Sequence, residues 1–177
     1  MPETDRSSLW KFSEYVYSRA GVQEALLWLQ DNRQLDIPFF LFTLWTAYFE
    51  ESLDTEALDD YLIISTDFAT NVIHPIRESR RGLKTYLSSP NRLYQQILET
   101  ELACEKMLLE QLESVYLQRC EDFARRTEQP GPPEYSVLSS ALSATRVYLT
   151  SHNIDDAEAK ERLAAVFSQI KQLPAHL

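Results

Sequence analysis

Six polar side chains recur at helical spacing in the middle of the chain and could bind an anion or a protein partner. They are Asp67, Asn71, His74, Arg77, Arg81 and Lys84. The last four are spaced so that they share one face of a helix, and the first two, together with Thr70, extend that face if the two helices on either side of Pro75 are nearly continuous. Arginine forks make bidentate contacts with phosphates and carboxylates. The pattern therefore predicts an anion- or partner-binding surface, which we call the basic face.

The same cations have an internal alternative. Acidic residues cluster at 50–60, and Glu99, Glu101 and Glu105 follow further along the chain. Charged stripes on helices are commonly solvated or paired within the protein. Both hypotheses for the basic face, internal ion pairing and external binding, are open at this point.

No motif for catalysis, cofactor binding or metal binding accompanies the basic face. The sequence has no G-x-S-x-G nucleophile elbow, no glycine-rich phosphate loop and no Cys-x-x-Cys pair. His74, His152 and His176 form no Glu-x-x-His pair of the kind found in di-metal bundles. We therefore predict no catalytic residue, no metal and no cofactor.

Charge and hydropathy exclude two further classes of function. The chain has 17 Lys and Arg against 27 Asp and Glu, a net charge of −10, which argues against general nucleic-acid binding. The longest nearly continuous apolar run, 37–49, is too short to span a bilayer. Cys104 and Cys120 fall in one predicted helix, too far apart for a disulfide. The sequence thus predicts a cytoplasmic protein with reduced thiols and no membrane span.

Composition indicates which elements position the basic face. Only 3 of 177 residues are glycine, and apolar residues recur at helical spacing throughout. We predict a single all-α domain of seven or eight helices. The core domain covers 8–126 and includes a long helix at about 90–126; a Pro-rich linker, 127–134, precedes a C-terminal helix pair, 135–173, that packs on the core against the long helix.

Two local features refine this fold. The segment from Ile37 to about Glu50 is apolar all round, which predicts a central core helix capped by Asp36 with Trp45 buried. Pro75 lacks a backbone donor and biases His74 away from helical geometry, which predicts a break or kink between a fourth and a fifth helix.

Several short segments occur in a recognisable order between residues 9 and 110. They are LWKF at 9–12, GV at 21–22, LQD at 29–31, LFTLW at 41–45, VIHPIR at 72–77 and RRGLK at 80–84. In these segments the chain resembles a family of small proteobacterial conserved hypothetical proteins that is classed as a domain of unknown function. The resemblance implies a compact helical cytoplasmic protein and implies no activity.

Two functions are consistent with these observations. The absence of catalytic motifs favours a non-enzymatic protein-interaction or adaptor module, which contacts a protein partner through the basic face or the distal end of the long helix. The alternative is a protein that binds, or an enzyme that acts on, an anionic small molecule with an apolar part. A convex basic face would favour the first, and a closed apolar pocket opening onto Arg77, Arg81 and Lys84 the second.

Overall fold

Seven α-helices occupy the residues that the structure, a computed structural model, describes: 7–49, 55–87, 91–127, 145–146, 148–150, 152–154 and 156–173. They are α1 (Leu9–Tyr17), α2 (Val22–Arg33), α3 (Ile37–Tyr48), α4 (Thr55–Phe68), α5 (His74–Tyr86), α6 (Arg92–Thr127) and α7 (Ala157–Ile170). A π-helical turn, Ala69–Ile73, joins α4 to α5. These residues contain no strand, so the all-α prediction is confirmed.

Helix α3 lies at the centre of the fold. Asp36 caps it, because its Oδ1 atom accepts a hydrogen bond of 3.0 Å from the N–H of Phe39. Every residue from Ile37 to Thr46 is buried, and α1, α4 and α6 pack around the helix. Trp45 has no exposed surface, and its Nε1–H donates to the Ser7 carbonyl over 3.0 Å. The predicted core helix, its cap and the burial of Trp45 are confirmed.

Pro75 widens the helical turn before it but does not end the helix. His74 has φ −60° and ψ −45°, and its N–H donates to the carbonyl of Ala69, five residues back. A proline ring clashes with the carbonyl four residues before it in a regular α-helix, and a π-helical turn relieves that clash. The chain therefore passes from α4 to α5 in helical geometry throughout, and the predicted departure of His74 from that geometry is wrong.

Helix α6 is the longest element and extends past the core at both ends. Its 36 residues span about 54 Å. It begins at Arg92, two residues later than predicted, because Asn91 Oδ1 accepts from the N–H of Tyr94 over 3.0 Å. Its buried side chains lie between Glu101 and Tyr116, where α1, α3, α4 and α5 contact it. Helix α5 runs antiparallel to its first part, which has no buried side chain before Glu101.

Helix α7 packs mainly on α2, whereas the sequence predicted packing on the long helix. Asp156 caps α7, with its Oδ1 atom accepting from the N–H groups of Glu158 and Ala159, each over 3.1 Å. Its Oδ2 atom accepts from Arg33 Nε at the end of α2, over 2.5 Å. This shared carboxylate joins the end of α2 to the start of α7. The predicted linker beyond residue 127 and residues 135–144 of the predicted helix pair lie outside the described residues.

Candidate functional site

Arg77 is the best-buried cation of the predicted basic face, and it faces α6. Its Nε atom donates to Glu101 Oε1 over 2.8 Å, and its Nη2 atom donates to Glu105 Oε1 over 2.7 Å. Arg80, which was not among the predicted site residues, donates from Nε to Glu101 Oε2 over 2.6 Å and from Nη1 to Tyr94 Oη over 3.2 Å. Two arginines of α5 thus neutralise two carboxylates of α6.

The surroundings shift the pKa values of the two carboxylates of this cluster in opposite directions. Burial raises the pKa of Glu101, but the hydrogen bonds from Arg80 and Arg77 outweigh burial and hold that pKa below its usual value. Burial raises the pKa of Glu105 more than the charge of Arg77 lowers it. Burial, and then the charge of Glu105, also raises the pKa of the Tyr17 hydroxyl. Glu101 is therefore the main counter-ion of the arginines.

The other two cations of the basic face are exposed. Arg81 forms an ion pair with Asp31 of α2, and its side chain keeps 56% of its surface in solvent. Lys84 lies one turn further along α5, is exposed, and makes no ion pair with any residue in the described part of the chain. Only the exposed cations can contact a ligand or partner without first breaking a buried ion pair.

The structure separates Asp67 and Asn71 from the remaining site residues. Asn71 Nδ2 donates to the Asp67 carboxylate over 2.8 Å and to the Asp67 carbonyl over 2.9 Å, and both side chains are exposed. The π-helical turn adds a residue between α4 and α5, which changes the helical phase before His74. The stripe predicted from a regular helix is consequently displaced by one residue.

A cleft of about 650 Å³ lies where α5 faces the loop between α2 and α3. From the predicted site it receives His74, Arg77 and Arg81, while Asp67, Asn71 and Lys84 do not line it. Thr70, which the sequence predicted to extend the stripe, lines the wall, as does Thr66, which the sequence did not single out. The cleft is neither a closed apolar pocket nor a convex basic face.

Asp36 and Tyr148 line the cleft and belong to a largely buried set of hydrogen-bonded residues. Asp36 Oδ2 accepts from Ser65 Oγ over 2.7 Å, and the backbone N–H of Asp36 donates to Tyr148 Oη over 2.9 Å. Burial raises the pKa of the Asp36 carboxyl, although the hydrogen bonds from Phe39 and Ser65 and the charges of His74 and Arg77 lower it. Burial also raises the pKa of Tyr148. The sequence predicts Asp36 only as a helix cap, because no local pattern indicates its hydrogen bonds with Ser65 and Tyr148.

The far end of the α5–α6 pair carries exposed apolar and basic side chains, and we call residues 84–87 and 91–93 the hairpin tip. Tyr86 and Leu93 keep 87% and 51% of their surface in solvent. Lys84 and Arg92 are also exposed. The sequence from 79 to 98 contains four Lys and Arg residues and no Asp or Glu, in a chain with a net charge of −10. The hairpin tip is therefore a local basic and apolar surface on an acidic protein.

Within the described ranges, no group of three or more His, Cys, Asp or Glu residues is arranged to hold a metal ion. In the same part of the chain, no helix is both long and apolar enough to cross a membrane.

Residues 8–112 match the family model described as "Protein of unknown function (DUF2390)". The match covers more than half of the chain, so the chain belongs to this family. No curated protein and no solved structure matches the chain.

Proposed function

We propose that the protein is a cytoplasmic, non-enzymatic interaction module that binds an acidic segment of a partner protein through the hairpin tip. The observation that carries this proposal is the joint exposure of Tyr86 and Leu93 beside Lys84 and Arg92. The cytoplasmic location is supported by the two cysteines, which form no disulfide with one another.

The apolar residues of the hairpin tip suit a protein partner. A tyrosine side chain buries a large area with few rotatable bonds, which makes tyrosine a frequent anchor of interfaces. Tyr86 has almost all of this area in solvent, and Leu93 adds a second apolar contact on the neighbouring helix. Burial of both side chains under a partner would stabilise a complex by roughly 25 cal/mol per Å² of apolar surface removed from water.

The charge of the hairpin tip selects the partner. Lys84 and Arg92 form no ion pair with other described residues, so their charges are available to a second molecule. Positive patches attract acidic partners and accelerate their association, and this attraction weakens as salt rises. Nucleic acid is a poor alternative, because most of the surrounding protein is acidic.

Ion pairs within the protein reduce the part of the basic face that a partner could contact. Arg77 pairs with Glu101 and Glu105, and its neighbour Arg80, which is not part of the basic face, pairs with Glu101. These ion pairs support a structural role for the middle of the basic face. The exposed end of that face, with Arg81 and Lys84, is continuous with the hairpin tip.

The test is affinity capture with two paired variants of the full chain. Tyr86→Ala with Leu93→Ser removes the apolar contacts, and Lys84→Glu with Arg92→Glu reverses the charge. The matched control is Ile63→Ser with Lys160→Glu, which alters an exposed apolar side chain of α4 and an exposed lysine of α7. Because every altered residue is exposed, the free energy of unfolding is expected to change by less than about 1 kcal/mol.

Both hairpin-tip variants are expected to lose at least ~tenfold of the captured partner, whereas the control retains it. Capture by the unmodified chain is expected to fall as salt rises. Equal recovery with all three variants would refute the proposal. Concentration-dependent self-association that the hairpin-tip variants abolish would also refute it, because the occupant would then be a second copy of this chain.

A further inference from the structure

We propose that the cleft between α5 and the α2–α3 loop binds a small organic anion, a carboxylate or a phosphate ester, that carries an apolar part. This site is separate from the hairpin tip, and the cleft can bind its ligand whether or not the hairpin tip binds a protein. A volume of about 650 Å³ is that of a typical small-molecule site.

One wall of the cleft carries a row of hydrogen-bond donors. Thr66, Thr70, His74 and Arg81 project from the continuous helical path formed by α4, the π-helical turn and α5. All four residues are exposed. Hydroxyl, imidazole and guanidinium groups all donate to carboxylate or phosphate oxygens. The row therefore runs from two neutral hydroxyls through an imidazole to a guanidinium cation along one side of the cleft.

The threonine hydroxyls of this wall are not used within the described structure. Thr43, Thr46, Thr85 and Thr100 each donate to a backbone carbonyl three or four residues earlier in their own helices. Thr66 and Thr70 make no such bond and no other hydrogen bond to a described residue. The ring nitrogens of His74 likewise have no hydrogen-bond partner there. Three donors of the wall are thus available to a ligand.

The carboxylates that also line the cleft leave this wall open. Both oxygens of Asp36 already accept hydrogen bonds, one from the Phe39 N–H and one from Ser65 Oγ. Asp31 is paired with Arg81 and is itself half-exposed. Glu78 lines the cleft and is exposed to solvent, which screens its charge. An anion entering the cleft would therefore compete with Asp31 for Arg81 and would meet the unused donors beside it.

Apolar side chains line the cleft beside this row, among further polar ones. They are Leu35, Ile37 and Pro38 at the junction of α2 and α3, and Leu62 and Ile73 on the helical path that carries the donors. Leu62 is half-buried and offers apolar surface to a ligand, whereas Leu35, Ile37 and Ile73 are at most 5% exposed. The donor wall beside the apolar surface of Leu62 favours an amphipathic anion over inorganic phosphate alone.

Titration calorimetry with the full chain tests the site, using hexanoate, hexyl phosphate, inorganic phosphate and hexylamine as probes. We expect at least one of the two hexyl anions to bind more tightly than inorganic phosphate, and hexylamine not to bind. Preference for hexanoate or for hexyl phosphate then distinguishes a carboxylate from a phosphate ligand. The ¹H resonances of the His74 ring are expected to shift on binding of the hexyl anion.

Two variants at the cleft mouth are expected to act in opposite directions. Arg81→Gln should weaken binding of the hexyl anion ~tenfold, because it removes a charge-assisted donor. Asp31→Asn should tighten binding, because it frees Arg81 from its internal partner. Lys84→Gln is the matched control, since it removes the same charge from the same helix outside the cleft and should leave binding unchanged. The hairpin-tip variants should also leave it unchanged.

The proposal is overturned if none of the anions binds, if hexylamine binds in their place, or if Asp31→Asn weakens binding. The last two results would indicate a cation site. A Lys84→Gln variant that loses as much affinity as Arg81→Gln would also overturn it, because binding would then reflect the general charge of α5.

Discussion

Arg77 Nε lies 2.8 Å from Glu101 Oε1, and the two side chains keep only 11% and 5% of their surface exposed. This ion pair joins α5 to the middle of α6. Arg77 also pairs with Glu105, and Glu101 also pairs with Arg80. One cation of the predicted basic face, Arg77, is thus withdrawn from the surface. The pair fixes the root of the α5–α6 hairpin, so the exposed cations near the hairpin tip are held at a defined position.

Arg77 and Arg81 are predicted to differ strongly in their effect on stability. Arg77→Gln leaves Glu105 without its cation and removes one partner of Glu101, so it should lower the free energy of unfolding by about 3–5 kcal/mol. Arg81→Gln breaks an exposed pair and should cost less than about 1 kcal/mol. Urea unfolding of the two variants measures both values; equal values would contradict the internal role of Arg77.

The two glutamates should also differ, and their difference should depend on pH. At pH 7 Glu101→Gln should cost about 3 kcal/mol, because it leaves Arg77 and Arg80 short of a buried counter-ion. Glu105→Gln should cost less than about 1.5 kcal/mol, the value of a single hydrogen bond to a charged group, because burial of the ionised carboxylate offsets that bond at pH 7.

The sign of the pH dependence follows from the two pKa shifts. The pKa of Glu101 is lowered in the folded protein, so its stabilising contribution is complete above its ordinary pKa and is lost as pH falls through the lowered value. The pKa of Glu105 is raised, so its contribution is complete below its ordinary pKa and declines as pH rises through the raised value. Urea unfolding of both variants between about pH 3 and 7 checks this; a cost of Glu101→Gln that grows as pH falls would contradict it.

The two described glycines should respond oppositely to the same substitution. Gly21 precedes α2 with φ 78°, a left-handed conformation, so Gly21→Ala should cost about 1 kcal/mol. Gly82 lies inside α5, and an added Cβ would meet no atom within 4 Å, so Gly82→Ala should stabilise the protein by up to about 1 kcal/mol. Thermal unfolding of the two variants checks the signs. Stabilisation by both substitutions would show that Gly21 does not require its left-handed backbone.

Local patterns predicted the helices well. The apolar run of α3 and the Asp36 cap each involve residues that are close together in the sequence, and the low glycine content is a property of the composition. The structure contains the core helix, the cap and the all-α fold that these features predicted. The π-helical turn was missed because a proline in a helix can be accommodated by a break, a kink or a widened turn, and the sequence does not distinguish these outcomes.

The site could be predicted only in part, because it depends on how helices rotate against one another. The acidic residues at 50–60 and Glu99, Glu101 and Glu105 were all candidate partners of the α5 cations. Packing of α5 on α6 brings Glu101 and Glu105 to Arg77. The pairing of Arg81 with Asp31 joins residues 50 positions apart. No sequence pattern within one helix encodes such a contact.

Photo-crosslinking at the hairpin tip tests the proposed interaction most directly. The photoreactive residue p-benzoylphenylalanine replaces Leu93 in one chain and Ile63, a similarly exposed apolar residue of α4, in another. We expect a covalent adduct with an acidic partner protein from position 93, none from position 63, and loss of the adduct when Lys84→Glu and Arg92→Glu are added. An adduct of equal yield from position 63, or one from position 93 that survives the charge reversal, would contradict it.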